Sequence, residues 1–377
     1  MHILTLIYEF PPIGGGGGRA AYDICKGLVA RGHQVTVLTA HMQGLPFEEY
    51  KDGIHLMRIS SLRRETFGAS FMTMLAYVLA GFWAGFRFIR LNRPDIIHTH
   101  FAVPSGALAW ALSIFTGIPY ILTAHLGDVP GGVPEKTGKW FRWVEPFTHP
   151  IWKRAKKVIA VSDYTRQLAL KHYAVNIQVI HNGADVKHLS PSAIKVNTPP
   201  RLVFAGRFVP QKNPFAIVQI LSDLKDLDWH CSLLGDGPLL EDVKREIEKT
   251  GLSERFDLSG WVTPDVVLDR FSKSDILLMP SLSEGLPVVG VQALATGLAI
   301  VASNIGGFFD LVDNARNGYL IDAQDIPAFS SALRGMISDP KVLLQFREAS
   351  VEKSHEFDIQ KIVDQYQSIL HEVVNGK

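Results

Sequence analysis

Residues 275–303 read "DILLMPSLSEGLPVVGVQALATGLAIVAS". Two short apolar runs, 275–281 and 298–303, bracket a polar loop and a longer apolar stretch fronted by Pro287. The runs have the length and the flanking turn signals of buried strands. Proline suits the start of a helix, where its missing N–H is not needed. Strand, loop, helix and strand in this order make a βαβ unit, with parallel strands buried on both faces. The loop carries one acid, Glu284, and the helix one amide, Gln292, expected about two turns in.

The same unit repeats in both directions. Upstream, "HILTLIY" (2–8), "QVTVLTA" (34–40), "DIIHTHF" (95–101), "PYILTAH" (119–125), "KVIAVS" (157–162) and "IQVIHNG" (177–183) read as buried strands. Helical patterns such as 19–31 and 104–116 separate them. A second series comprises "RLVFAGR" (201–207), "WHCSLLG" (229–235), "FDLSGWV" (256–262), the two runs of the opening stretch and "NGYLID" (317–322), and 326–374 then reads as helices. Such alternation implies parallel sheets with helices on both faces. The polar, proline-bearing "SPSAIKVNTPP" (190–200) is the best linker in the chain. The expected fold class is α/β, with two Rossmann-like domains.

Length agrees: 377 residues give two domains as the prior. An apolar share of 47% against 20% charged is the profile of a globular chain, not a disordered one. Cys25 and Cys231 lie far apart in apolar contexts, which fits a reducing compartment without a disulfide framework. No CxxC or HExxH spacing marks a metal site. The start, "MHILTLIYEFPP", lacks the basic n-region of a signal peptide. Phe67 to Phe86 is a run of 20 uncharged residues, long enough to span a bilayer. Its glycines, Gly68, Gly81 and Gly85, and the strand that follows favour a buried or interfacial helix instead.

Charge is unevenly divided. Residues 1–190 hold 20 Lys and Arg against 12 Asp and Glu, a net +8; residues 191–377 hold 18 against 25, a net −7. The basic half contains Arg58, Arg63 and Arg64, then Arg87, Arg90 and Arg93, then "KRAKK" (153–157). A basic face beside apolar helices suits an anionic membrane surface. Aromatic residues are not interleaved with these clusters as a nucleic-acid platform requires, so no nucleic-acid partner is expected.

Four segments have the residue types for chemistry. Gly14 to Gly18 stand between the first strand and a helix, where glycines allow close backbone approach and a helix N-terminus favours anions. A nicotinamide cofactor would want an acid at the end of the second strand; "TVLTAHMQG" has none. Arg207 and Lys212 follow the first strand of the second half, at the sheet edge where α/β ligands bind, and are placed to clamp a diphosphate. In "LLGDGPLLEDV" (233–243), Gly235 and Gly237 close a turn and Asp236 is positioned to cap a helix. Glu284 has the acceptors to hold a sugar's hydroxyls.

In this order the motifs resemble those of the retaining glycosyltransferases of family 4, which have the GT-B architecture. The segments are the glycine loop (14–18), "TAHLGD" (123–128), "VIAVSDYTR" (158–166), "VIHNGAD" (179–185), "FAGRFVPQKN" (204–213), "LLGDGP" (233–238) and "PSLSEGLPVVGVQALATG" (280–297). The resemblance implies two domains facing across a cleft: an acceptor domain, 1–190, and a nucleotide-sugar domain, 191–355, with 356–377 a helix crossing back to the first. It implies catalytic roles for His125, Arg207, Lys212 and Glu284. Gly15, Gly16 and Gly17, together with Gly285, Leu286 and Pro287, would line the donor. Gln292 departs from the pattern, since the family has a second glutamate there for the ribose. The amide keeps one carbonyl acceptor and loses the charge.

The function implied is transfer of a sugar from a UDP- or GDP-sugar to a hydroxyl of a lipid-linked or polysaccharide precursor. Lipopolysaccharide, capsule or exopolysaccharide assembly would be the setting. The location would be cytoplasmic, peripheral on the inner face of the membrane. No metal or other cofactor is expected, and "DLD" (226–228) reads as a solvated turn. The alternatives are a nucleotide-sugar 2-epimerase-like enzyme and a nucleotide-sugar-binding partner subunit of weak activity.

Overall fold

A computed structural model of the chain describes residues 1–64, 70–133 and 141–376. It divides into two compact units, Met1–Gly183 with Ile359–Lys377, and Ala184–Asp358.

Unit 1 is built on strands β1 (His2–Leu6), β2 (Gln34–Met42), β3 (Glu48–Lys51), β4 (Ile54–Arg63), β5 (Ile96–His100), β6 (Tyr120–Ala124), β7 (Lys157–Ala160) and β8 (Ile177–Val179). They form one sheet in the order β3-β4-β2-β1-β5-β6-β7-β8, parallel throughout except for the β3–β4 hairpin at the edge. Unit 2 carries β9 (Arg201–Ala205), β10 (His230–Leu234), β11 (Phe256–Gly260), β12 (Ile276–Met279), β13 (Ala299–Ser303) and β14 (Gly318–Ile321). These form an all-parallel sheet in the order β11-β10-β9-β12-β13-β14. In each sheet the order reverses beside the first strand of the unit: between β1 and β5, and between β9 and β12. Loops leaving the two strands there diverge to opposite faces and leave a crevice at the carboxyl edge.

The helices in chain order are α1 (Gly16–Ala30), α2 (Phe71–Asn92), α3 (Ala107–Thr116), α4 (Phe141–Arg154), α5 (Asp163–Leu170) and α6 (Val186–Leu189). Next come α7 (Pro214–Ser222), α8 (Leu240–Thr250), α9 (Pro264–Ser272) and α10 (Val288–Ala295). The last four are α11 (Phe308–Leu311), α12 (Ile326–Ser338), α13 (Pro340–Ser354) and α14 (Ile359–Asn375). In unit 1, successive strand residues point to opposite faces. Ile3 packs with Ile24 and Leu28 of α1 and with Ile362 and Tyr366 of α14. Leu4 packs on the other side, with Tyr77 and Phe88 of α2 and Leu108 and Leu112 of α3.

α2 and α3 come together through two glycines. A Cβ at Gly81 would lie 2.8 Å from a Leu108 methyl, and one at Gly85 would lie 2.8 Å from Leu112. These glycines answer a packing demand. The long uncharged run is thus a helix half-buried along one stripe, and its first residues, 67–69, lie outside the described residues.

The structure departs from two expectations. The β3–β4 hairpin is absent from the sequence reading, because 48–63 is too polar and too irregularly alternating to signal strands. The same hairpin removes Arg58 and Arg63 from the expected basic face. Both are buried: Arg58 pairs with Glu49 at 2.5 Å, and Arg63 pairs with Glu9 at 3.1 Å and lies over the Tyr8 ring.

The segment 190–200 belongs to unit 2 and is tied down there by a buried ion pair between Arg347 on α13 and Asp275 before β12. Arg347 also donates from Nε to the Gly297 carbonyl at 2.7 Å and from Nη1 to the Lys195 carbonyl at 2.6 Å. Asp275 accepts from the backbone N–H of Asn197 at 3.1 Å and of Arg201 at 2.7 Å. Removing one member leaves a buried charge without its partner, which costs about 3–5 kcal/mol. Arg347→Met is therefore expected to lower the stability of unit 2 by that amount in urea unfolding. A loss below about 1 kcal/mol would show that the pair behaves as a surface bridge.

Candidate functional site

In unit 2 the crevice between β9 and β12 collects the sequence-predicted residues. β9 ends at Ala205, and the chain continues through Gly206 and Arg207 into a short turn, Pro210–Lys212. Asn213 at φ +48° then redirects it into α7. The Lys212 stem passes over Gly206, where a Cβ would stand 3.6 Å from Lys212 Cε. Across the reversal, β12 ends at Met279 and its loop presents Glu284. The Lys212 ammonium donates to Glu284 Oε1, with the two side chains only 13% and 8% exposed. The two loops are also joined by backbone: Leu282 N–H donates to the Gln211 carbonyl at 2.7 Å, and Gln211 Nε2 donates to the Ser283 carbonyl at 2.9 Å. Arg207, half-buried on the same loop, has no side-chain hydrogen bond or ion pair to the described residues.

Two backbone-to-backbone contacts narrow this edge. Gly235, at φ +136°, lets the loop after β10 lie against Gly206, whose carbonyl oxygen would be 1.9 Å from any Cβ there. Gly307 does the same against Gly285, at 1.6 Å. Asp236 does not cap α8 as expected. It accepts from Gly237 N–H at 2.7 Å, and α8 begins at Leu240 without a side-chain cap. Pro287 is the N-cap of α10, preceded by buried Leu286. Gln292 is the fifth residue of α10, so it stands little more than one turn in, not two. It is buried, and its side chain makes no hydrogen bond to the described residues.

Unit 1 has its own cluster at the β1–β5 reversal. α1 begins at Gly16, three residues earlier than its apolar pattern indicates, so glycines occupy its first turn. Contacts explain their presence better than helix propensity does. A Cβ at Gly17 would stand 2.6 Å from the Phe101 ring and 3.4 Å from His125 Nδ1, and one at Gly18 would stand 2.6 Å from the Glu9 carbonyl oxygen. Gly15 and Gly16 are open to solvent at the helix N-terminus, with backbone N–H groups available to an anion.

His125 follows β6 and is buried. Its Nε2 is hydrogen-bonded to His100 Nδ1 at 3.3 Å, and its ring stacks on Phe101 at 4.3 Å. His100 in turn lies against His98, and His98 Nε2 bonds Thr123 Oγ1 at 2.9 Å. Burial holds all three imidazoles neutral, lowering the pKa of His98 and His125 to about 3 and moving His100 in the same direction. Phe101 sits at φ +68°, rare for a bulky residue. It is held by Phe101 N–H to the Thr123 carbonyl, by Gly106 N–H to the Phe101 carbonyl, and by Ala102 N–H to Asp128 Oδ2 at 2.6 Å. Burial pushes the Asp128 carboxyl up to about 7, against the backbone hydrogen bonds that pull it down.

The structure therefore brings Arg207, Lys212, Glu284 and Gly285 to one edge of unit 2, and Gly17 and His125 to one edge of unit 1. Sequence reasoning missed His98, His100, Phe101 and Asp128. The spacing in "DIIHTHF" was a usable signal, since period-2 histidines on a fully buried strand fall on one face of the sheet. The exposed "DLD" acid Asp226 pairs with Arg334 at 2.6 Å. Among the described residues no group of three or more His, Cys, Asp or Glu is arranged to hold a metal ion.

Comparison with known proteins converges on one family. Residues 14–188 match the family model described as Glycosyltransferase Family 4, and residues 186–353 match the one described as Glycosyl transferases group 1. The Escherichia coli UDP-Gal:alpha-D-GlcNAc-diphosphoundecaprenol alpha-1,3-galactosyltransferase is 26% identical over 311 residues, covering 78% of this chain and 79% of that one. The sucrose-phosphate synthase of Thermosynechococcus elongatus superposes with a TM-score of 0.87 at 20% identity, covering all of both chains. The Anabaena protein HepE, solved in complex with UDP-glucose, superposes at 0.77 with 18% identity over 98% of this chain and 99% of that one. These solved structures share the two-domain GT-B fold.

The raised carboxyl of Asp128 has a stability consequence with a definite sign. The folded state holds the proton more tightly than the unfolded state does, so stability falls as pH rises from about 4 to about 7. Asp128→Asn keeps the acceptor for Ala102 N–H and cannot ionise. The variant is expected to be more stable than wild type at pH 8, by roughly 4 kcal/mol at most, with the gap closing by pH 4. Thermal unfolding across that range checks it, and a gap independent of pH would refute the assignment.

Proposed function

The chain belongs to family 4 of the glycosyltransferases, and from that membership we propose that it transfers a hexose from a UDP-sugar, with retention at the anomeric carbon, to a hydroxyl of a lipid-linked or polysaccharide precursor. The observation that carries this reading is the Lys212–Glu284 pair at the β9–β12 reversal, with Arg207 on the same loop. Two cations and an acid within one crevice suit a ligand that is anionic at one end and hydroxylated at the other.

In the proposed reaction the bond between the anomeric carbon and the diphosphate oxygen stretches, and negative charge gathers on the departing diphosphate. Arg207 and Lys212 stabilise that charge where they already stand, so little reorganisation is needed. Glu284 accepts hydrogen bonds from the sugar's hydroxyls, and Gly285, Leu286 and Pro287 flank the nucleotide. The acceptor oxygen attacks on the face the diphosphate leaves, and a diphosphate oxygen takes its proton. For unit 1 the family pattern supports a donor-side role for Gly15, Gly16 and Gly17, whose backbone N–H groups suit an anion, and for neutral His125 as a hydrogen-bonding group for a sugar. Gln292 meets the ribose through its amide, a weaker acceptor than a carboxylate. No metal is assigned a step.

A UDP donor is favoured because the E. coli relative is named for UDP-Gal and HepE was solved with UDP-glucose. A lipid-linked acceptor is favoured because that relative is named for a diphosphoundecaprenol-linked sugar. The setting proposed is envelope glycan assembly, lipopolysaccharide included, on the cytoplasmic face of the membrane.

Lys212→Ala and Glu284→Ala are each expected to lower sugar transfer by about 10²–10³-fold, measured in chelator with labelled donor. Full activity in both would end the proposal. UDP-sugars are expected to raise the thermal midpoint of the wild type more than GDP- or ADP-sugars do, since a ligand that binds only the folded state stabilises it. The reverse order would reassign the base.

A further inference from the structure

One surface of unit 1 is not accounted for by the sheet or by the residues above. α2 is apolar on nearly every side. Its inner stripe, Tyr77, Gly81, Gly85 and Phe88, is buried. Its outer stripe, Met72, Leu75, Leu79 and Trp83, is exposed, with Trp83 at 71%. These four recur at the spacing of one helix face. The face continues on α3, where Phe115 is 67% exposed and meets Phe82 edge-on at 5.3 Å, beside exposed Ile114. Single exposed apolar residues are normal; a contiguous patch over two helices marks an interaction surface.

The patch is bordered by cations. Arg87 and Arg90 lie on the last turns of α2, and Arg93 is its left-handed cap. Arg87, Arg90 and Arg93 are all exposed, and Arg90 sits over the Phe86 ring. On the α3 side, Arg154 donates to the Ser113 carbonyl, and with Lys153, Lys156 and Lys157 it lines a hollow of about 770 Å³ that also contains Ser113 and one acid, Glu372, paired with Lys157. Residues 70–94 and 102–127 contain no Asp or Glu. Cations at helix C-termini gain from the helix dipole, but the dipole does not explain the apolar stripe they border.

We propose that this α2–α3 face is a docking surface for an anionic phospholipid bilayer. The apolar stripe enters the interface, and Arg87, Arg90, Arg93, Lys153, Arg154 and Lys156 meet lipid phosphates. α2 lies in the plane of the interface and does not cross, because its inner stripe is committed to β4 and α3. A second copy of the chain fits less well. Docking two such faces on one another would crowd arginines and lysines with no acid on either helix to answer them. The purpose of the surface rests on the lipid-linked acceptor proposed above; the surface itself does not.

The test is flotation of the full chain with vesicles of neutral lipid alone and with about 30% phosphatidylglycerol. Binding is expected to the anionic vesicles and to weaken with salt. Arg87→Gln with Arg90→Gln should weaken it roughly 30-fold. Leu79→Ser with Trp83→Ser should abolish it, and both variants should keep the wild-type thermal shift with UDP-sugar. No binding at low salt, equal binding to both vesicles, or binding unchanged in either variant would overturn the proposal. So would a concentration-dependent dimer that the Leu79→Ser/Trp83→Ser variant makes monomeric while vesicles go unbound. If vesicle binding fails while transfer to a soluble acceptor proceeds, the enzymatic reading stands and this one falls. Vesicle binding without transfer to any acceptor leaves the docking surface standing and removes the transferase.

Discussion

The reversal of strand order in each parallel sheet is the constraint on which the candidate site depends. A parallel strand must be followed by a crossover, and crossovers from β9 and β12 leave to opposite faces. The gap between them is the one place on that edge where two loops can present side chains toward each other without a helix between them. Lys212 and Glu284 occupy it from either side. The ion pair holds each charge nearly out of water and fixes the position of both groups. A backbone hydrogen bond from Leu282 N–H to the Gln211 carbonyl and a side-chain one from Gln211 Nε2 to the Ser283 carbonyl also join the two loops. Glycines at 235 and 307 then allow the neighbouring loops to close on the same edge.

The two units solve the burial of polar groups in different ways. Unit 2 keeps its site charged and pairs Lys212 with Glu284. Unit 1 keeps its site uncharged: three imidazoles are neutral through burial, and Asp128 is carried toward neutrality by the same cause. Neutral imidazoles beside a helix N-terminus leave the α1 backbone N–H groups as the positive feature of that edge. The hydrogen bond between His100 and His125 also fixes which nitrogen of His125 faces Gly17. That places the strand residue His100 one step behind the predicted group.

Much of this was legible in the sequence because parallel strands buried on both faces read as unbroken apolar runs. All twelve predicted strands are present, with ends within a few residues of the reading. Arg207, Lys212 and Glu284 were legible because each follows directly on such a run. The start of α1 was not, since propensity argues against Gly16 to Gly18 in a helix; contacts with Phe101 and Glu9 decide it. The β3–β4 hairpin was not, because its stability comes from pairing beside β2 and from half-buried acidic partners for the buried Arg58 and Arg63. Gln292 lies nearer the start of α10 than expected because the five residues from Pro287 make only about one and a half turns at 3.6 residues per turn. The anchoring of 190–200 was invisible because Arg347 and Asp275 lie far downstream of the segment they hold.

α2 shows why composition alone could not decide between a buried and an interfacial helix. A helix apolar on all sides needs apolar surroundings on all sides. The glycines at 81 and 85 let α3 approach closely enough to satisfy one stripe, and that approach turns the opposite stripe outward. The same two contacts that make α2 part of the core of unit 1 therefore create its exposed face. Because the helix is held against β4 along its length, only its outer half can enter another phase. The arginines of its last turns are exposed beside that outer half.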